Sequence, residues 1–257
     1  MYPLPFVVWL LVIAGVIGLP ALTFVALARG TATGNLRRTA PVRLAWAVAI
    51  GWSLWAIASA LLAAAGVYRL TWTATNPAIG VAALGAMLAA FLFTRMPAVS
   101  RLLARPELAW RITLPHALRI AGGAAFLATF ALGKLPAIFA LPAGFGDIAI
   151  GIEAIFLAGR MRRGVAGRGV LWFNILGLLD LAYALTAGFL AGPGPVRLLT
   201  VTPSTAPVAL LPLVLIPTVI VPLAVILHVV ALRTLRLTIR ASRSGTGSLA
   251  AVPTRSS

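Results

Sequence analysis

The chain has 257 residues, of which 61% are hydrophobic and only 10% are charged. A soluble domain has about 45–50% apolar and about 25% charged residues, so this composition excludes a water-soluble globular protein. The net charge of +17 would suggest a nucleic-acid partner in a soluble protein, but here the arginines lie in short clusters between apolar runs, which is typical of loops that face anionic lipid headgroups.

The apolar runs predict an all-α integral membrane protein, because a helix of about 20 apolar residues spans a bilayer. We expect a bundle of about seven transmembrane helices in residues 1–240 and a disordered polar cytoplasmic tail in residues 241–257. The first run is longer than the hydrophobic region of a signal peptide and no basic residue precedes it, so it is expected to remain as an anchor. The predicted spans cover residues 5–28, 44–67, 77–94, 115–134, 146–161, 170–191 and 207–232.

The basic residues predict the orientation of this bundle. Of the 21 basic residues, 20 are arginine, and nearly all of them fall on the loops of one side. Because cytoplasmic loops carry the excess of arginine and lysine, the N-terminus is expected outside and the C-terminus in the cytoplasm. We expect a multi-pass protein of the bacterial plasma (inner) membrane. The exceptions are Arg69, Lys134 and Arg197 on the other side and Arg119 just inside the fourth span.

Two segments on the arginine-rich side are expected to lie against the membrane surface. Residues 98–112 mix leucine and tryptophan with arginine, which is typical of a short interfacial helix. After the seventh span, the arginines at 233, 236, 240 and 243 fall on one face of a continued helix. The predicted partners are therefore the lipid bilayer and its anionic headgroups at the cytoplasmic face, with no nucleic acid.

Three of the four acidic residues lie inside apolar spans. Charge is costly there, so Asp147, Glu153 and Asp180 are candidates for a functional site. Asp180 shares a helical face with small residues such as Gly177, so this face packs against another helix or lines a narrow cavity. The three carboxylates and Lys134 form the predicted proton, ion or substrate site. The alternative is a set of protonated carboxyl groups that hydrogen-bond across helix interfaces.

The segment 134–147 contains two prolines and two glycines beside a short predicted span. This pattern is typical of a broken or re-entrant helix, where transporters place binding sites. The sequence favours the other interpretation, a plain extracellular turn in which Asp147 caps the following helix and pairs with Lys134.

The seventh span carries prolines at intervals of five, at positions 207, 212, 217 and 222. Each proline lacks a backbone donor and releases a carbonyl one turn earlier. The outer half of this helix is therefore predicted to be kinked or partly unwound. The released carbonyls are free to coordinate a cation or to accept hydrogen bonds from neighbouring helices.

A secondary polar cluster is predicted from His116, Arg119, Asn174 and His228, which should lie toward the cytoplasmic side. Two histidines at similar depth could ligate a haem or a metal, but a histidine near a membrane interface more often forms a hydrogen bond there. We predict no metal and no cofactor. The chain has no cysteine, which excludes disulfides, thiolate nucleophiles and cysteine-ligated zinc.

These residues are compatible with three functions. The first is a transporter for a small solute or ion, coupled to protons through the intramembrane carboxylates. The second is a non-transporting membrane scaffold, sensor or accessory subunit. The third, an intramembrane enzyme, lacks a visible nucleophile–base pair or nucleotide-binding motif. A retinal protein is excluded because the predicted seventh helix has no lysine for a Schiff base. The oligomeric state is left open.

Overall fold

The computed structural model describes residues 4–29, 39–165, 167–195 and 197–249, and in 39–41, 106–107 and 238–249 it describes the backbone only. Every regular element in these ranges is a helix, as the apolar runs predict. The elements in chain order are α1 (Phe6–Arg29), α2 (Thr39–Ala64), α3 (Ala78–Arg95), α4 (Pro97–Leu103), α5 (Pro106–Thr113), a 3-10 helix (Leu114–Leu118), α6 (Arg119–Ala131), α7 (Ala137–Arg162), α8 (Gly169–Leu190), a second 3-10 helix (Ala206–Ala209), a π-helix (Ile216–Ile220) and α9 (Val221–Leu249).

Six of the described helices are long and apolar enough to cross a membrane: α1, α2, α3, α7, α8 and the π-helix with the first part of α9. Their outward faces carry large apolar side chains. Ile17, Leu54 and Leu88 are each more than half exposed. A soluble protein rarely exposes such surface, so these helices suggest a multi-pass membrane protein. The sequence predicts one more span, the fourth in chain order, at 115–134, and the structure has a shorter helix there, α6.

Two side-chain contacts mark the two ends of the bundle. At one end, the Arg233 guanidinium donates a hydrogen bond to the Ser100 hydroxyl at 3.2 Å; this arginine-rich end also holds the segments after α3 and α7. At the opposite end, the guanidinium of Arg197 lies over the ring of Trp72, 5.0 Å from its centroid. In place of the single short helix predicted over 98–112, the structure has two, α4 and α5, at the arginine-rich end.

The segment from α5 through α6 runs antiparallel to α7. Thr113 lies beside Met161, with the hydroxyl 3.7 Å from the sulfur, and farther along the rings of Phe126 and Phe139 meet edge to face at 5.0 Å. The 3-10 helix that divides this segment begins at the leucine before Pro115, and proline cannot donate to the carbonyl one turn earlier. The segment is thus a helix interrupted in the middle, at the point where His116 and Arg119 lie.

The segment 134–147 differs from both predicted arrangements. α7 is continuous from Ala137, nine residues before the predicted start of the fifth span, and includes Pro142. Pro142 leaves the carbonyl of Ile138 without an intrahelical donor, and the hydroxyl of Tyr183 on α8 donates to that carbonyl at 2.5 Å. Because a neighbouring helix satisfies this carbonyl, the proline does not end the helix. Asp147 therefore lies in the interior of α7 and does not cap it.

The proline-rich start of the last span is unwound, as its proline spacing predicts. Residues 206–209 form a 3-10 helix and 216–220 a π-helix before α9 begins. Pro222 cannot bond to the carbonyl of Thr218, and the indole N–H of Trp55 on α2 donates to this carbonyl at 2.8 Å. The hydroxyl of Ser59 donates to the Thr218 hydroxyl at 2.7 Å. Donors of α2 therefore satisfy this site.

The last helix extends beyond the predicted boundary of the membrane domain. α9 continues to Leu249, so residues 241–249, which the composition predicts to be disordered, have helical backbone. Each added residue keeps the intrahelical hydrogen bonds of the preceding turn, and no proline interrupts them before position 253. The remainder of the predicted tail, 250–257, lies outside the described residues.

Candidate functional site

A single arginine occupies the centre of the polar cluster. Arg119 is the first residue of α6 and is 1% exposed. Its Nε donates to Oδ1 of Asp147 at 2.7 Å, and its NH2 donates to Oδ2 of Asp180. Its NH1 lies 3.4 Å from the carbonyl oxygen of Gly177 and 3.2 Å from Nε2 of His228. One guanidinium thus joins α6 to α7, α8 and α9.

The two carboxylates approach Arg119 from different helices, in the middle of the bundle. Asp147 lies ten residues after the start of α7, or about 15 Å along the axis at roughly 1.5 Å per residue. Asp180 lies near the middle of α8. Their side chains are 9% and 14% exposed. With both ionised, the pair exceeds the guanidinium by one negative charge, so one proton or one cation is needed for a neutral cluster.

Two glycines make this geometry possible. A Cβ atom at Gly146 would overlap the carboxylate of Asp180, and a Cβ atom at Gly177 would overlap the imidazole of His228. Any larger residue at either position would push α8 away from α7 or His228 away from Arg119. The glycines therefore set the distance at which the charged groups meet.

The hydrogen bonds of His228 fix its protonation state. A guanidinium only donates, so Nε2 of His228 accepts from Arg119 and the proton lies on Nδ1. That Nδ1–H donates to Oδ1 of Asn174 at 2.9 Å. The Asn174 amide in turn donates to the carbonyl of Val170 at 2.7 Å, which fixes its orientation. Asn174 thus holds a neutral His228 in the tautomer that binds Arg119.

His116 extends the cluster toward the arginine-rich end. Its ring stacks on the ring of His228 with centroids 3.8 Å apart, and the ring of Phe173 lies 5.6 Å from His116 and 5.3 Å from His228. His116 is 1% exposed, and its Nδ1 has no hydrogen-bond partner among the described atoms. A buried nitrogen without a partner is costly.

The two groups of residues predicted separately from the sequence meet here in one place. Asp147 and Asp180 from the predicted proton or ion site join all four members of the secondary cluster. The other two residues of the predicted proton or ion site lie outside this cluster. Glu153 lies on the exposed face of α7, and Lys134 lies half-buried in the turn before α7 at the opposite end.

A cavity of about 470 Å³ connects the opposite end with this cluster. The loops that hold Asn76 and Arg197 line it at the opposite end of the bundle, and Asp147 lines it at the cluster. Phe126 and Phe139, which the sequence does not single out, also line the cavity. A second cavity, of about 660 Å³, lies between α2, α3 and α9 and has an almost entirely apolar lining.

The sequence does not predict the close contacts of the glycines, the phenylalanine pair or Tyr183, because these contacts depend on how the helices pack. Gly146 is directly before Asp147, and this adjacency is the only local signal for it. The aromatic pair of Phe126 and Phe139 gives no local signal.

Within the described residues, no group of three or more His, Cys, Asp or Glu side chains is arranged to hold a metal ion.

A family model described as "Domain of unknown function (DUF8737)" matches residues 76–236, which is more than half of the chain. The chain belongs to this family. The DUF8737 region begins just before α3 and contains the complete polar cluster and the residues of the cavity wall around Asp147, whereas α1 and α2 lie outside it. No curated protein and no solved structure matches the chain.

Proposed function

We propose that this DUF8737 protein is a proton-coupled transporter for a small solute or ion, and that Asp147, Arg119 and Asp180 form its proton site. The observation that carries the proposal is a buried cluster with two carboxylates and one guanidinium at the end of a cavity. A dry structural ion pair needs one acid for one base. The second carboxylate adds a charge that only a proton or another cation can neutralise in a low-dielectric interior.

The position of the cluster supports alternating access. The cavity reaches Asp147 from the opposite end, while His228 and His116 extend from Arg119 toward the arginine-rich end. The proton site therefore lies between the two ends of the bundle, reached from one end by the cavity and separated from the other by the packed histidine rings. Exchange between these two sides is what a proton-coupled transporter requires.

The proposed membrane topology has seven crossings in a bacterial plasma membrane, with the N-terminus outside. The fourth crossing consists of α5, the 3-10 helix and α6, which together are as long as the antiparallel α7. The arginine-rich end faces the cytoplasm and its anionic lipid headgroups, since basic residues are retained on that side.

The topology is tested with single cysteines, because the natural chain has none. Thr73→Cys lies at the opposite end and Val165→Cys at the arginine-rich end, and both positions are exposed. A membrane-impermeant maleimide should label Thr73→Cys in intact cells and Val165→Cys only after the cells are permeabilised. Labelling in the reverse pattern would contradict the proposed orientation.

The transport function is tested in proteoliposomes that contain a pH-sensitive dye. A sugar, an amino acid, a dicarboxylate and an organic amine are added separately outside, and the internal pH is followed. At least one solute should move protons in the wild type but not in Asp147→Asn or Asp180→Asn. Glu153→Gln, which removes a carboxylate of α7 outside the cluster, should behave as wild type. Identical proton movement in wild type and Asp180→Asn would refute the proton site.

A further inference from the structure

The cavity that ends at Asp147 has the chemistry of a site for an organic cation. Most of its wall is apolar, and the described residues place one carboxylate on it, at the buried end. Asp147 Oδ1 accepts the bond from Arg119, and among the described contacts Oδ2 accepts none. A carboxylate oxygen at the end of an apolar cavity attracts a positive charge strongly, because water does not screen it.

Aromatic rings strengthen the preference for a cation. Phe126 and Phe139 both line the cavity and meet edge to face with ring centroids 5.0 Å apart. Phe189, in the last turn of α8, also lines the cavity. The negative faces of such rings attract organic cations, and quaternary ammonium groups in particular. The volume of about 470 Å³ is within the range of sites that enclose small organic molecules.

We infer that this cavity binds a lipophilic organic monocation, with its charged group at Asp147 and its apolar body against the aromatic wall. This inference rests on the proposed transport function and names its substrate class. Among the described residues one basic group, Arg197, lines the cavity. It lies in the loop at the opposite end, where it donates to the carbonyls of Leu199 and Val201 and contacts Trp72. It is therefore separated from the buried end.

Binding at this site excludes the proton. The groups that face Asp147 are Arg119 from α6 and Asp180 from α8, with His228 of α9 and His116 of the 3-10 helix behind Arg119. The cluster is neutral with one proton on its two carboxylates, and it is also neutral with one bound monocation and no such proton. Each cation that binds should therefore release one proton, which gives exchange of a cation for a proton.

The experiment uses the full chain in lipid nanodiscs with tetraphenylphosphonium as the probe. Equilibrium dialysis should show binding that Asp147→Asn weakens at least about ten-fold, the loss expected for one charge pair. Glu153→Gln is the matched control and should bind as wild type. Tetraphenylborate, an anion of similar size and shape, should not bind above the level of empty nanodiscs. Equal binding of the phosphonium to wild type and Asp147→Asn, or equal binding of the two probes, would overturn the inference.

Two further measurements keep the test valid if Asp147→Asn does not fold. Ala83→Trp fills the cavity from α3, a helix that holds none of the cluster residues, and should also abolish binding. In weakly buffered solution, wild type should release about one proton for each phosphonium bound, as charge balance requires; release of none would contradict the exchange.

The two proposals fail separately. Binding that depends on Asp147 without proton movement in proteoliposomes would leave the cation site in place and refute transport. Proton movement that depends on Asp147, without binding of the phosphonium, would retain transport and refute this substrate class.

Discussion

Replacement of Arg119 by methionine removes the charge at the centre of the cluster and keeps a side chain of similar reach. Both carboxylates then lose their counter-charge, and Nε2 of His228 loses its donor. We expect this single change to destabilise the packing of α6 against α7, α8 and α9 more than any other arginine substitution among the described side chains.

The expected magnitude follows from burial. Arg119 is 1% exposed, so water screens its contacts little. Removal of one partner of a buried ion pair costs about 3–5 kcal/mol, because the remaining charge has no compensation. The two pairs share one guanidinium, so their contributions do not add, and a carboxylate that takes up a proton limits the cost. Arg119→Met should therefore lower the free energy of unfolding by about 3–5 kcal/mol in total.

The assay is unfolding of the purified protein in mixed detergent micelles, followed by circular dichroism. Arg69→Met removes an exposed arginine at the opposite end and should change the free energy by no more than about 0.5 kcal/mol. The triple variant Arg119→Met, Asp147→Asn, Asp180→Asn removes all three charges and should regain more than half of the loss, since a neutral replacement of a buried ion pair is tolerated. Equal free energies for Arg119→Met and Arg69→Met would refute the reasoning.

Two substitutions test the close contacts of the site in the same unfolding assay. Gly177→Ala should lower the free energy of unfolding by about 1–3 kcal/mol, because the added Cβ overlaps the His228 ring. Gly51→Ala, where no atom lies within 4 Å of the added Cβ, should not destabilise the protein. Equal effects of the two substitutions would contradict the steric argument. Tyr183→Phe removes the donor to the Ile138 carbonyl and should lower the free energy of unfolding by about 0.5–1.5 kcal/mol. In a Pro142→Ala background, where a backbone N–H is restored, the loss should be much smaller. An unchanged loss there would contradict the role of the proline.

Helix type and approximate position are predictable from this sequence, because runs of about 20 apolar residues leave few alternatives to a helix in a membrane. The locations of the breaks are not. The sequence directs attention to 134–147, yet α7 is continuous there because Tyr183 satisfies the carbonyl that Pro142 releases. The break lies instead at the 3-10 helix around Pro115. At Pro142 the missing donor comes from another helix, 45 residues from Ile138 in the chain, and local sequence does not reveal it.

The residues of the site are each predictable as functional candidates, but their association in one cluster is not. Sequence places Asp147, Arg119 and His228 at approximate depths, and depth does not tell which way a side chain points. One signal was available: Arg119 is a basic residue inside an apolar span, and such a residue needs a carboxylate within reach. Helical periodicity also separates Glu153 from Asp147, since six residues on a helix correspond to a rotation of about 240°.

The order in which Arg119 meets its partners constrains how the protein is inserted into a membrane. Asp147 follows Arg119 by 28 residues in the chain, Asp180 by 61 and His228 by 109. An arginine in the middle of a lone transmembrane segment costs about 2.5–3.5 kcal/mol at insertion. The short turn before α7 brings the first carboxylate within the same helical hairpin. α6 and α7 are therefore expected to leave the translocation machinery as one unit, with α8 and α9 joining a hairpin whose charge is already compensated.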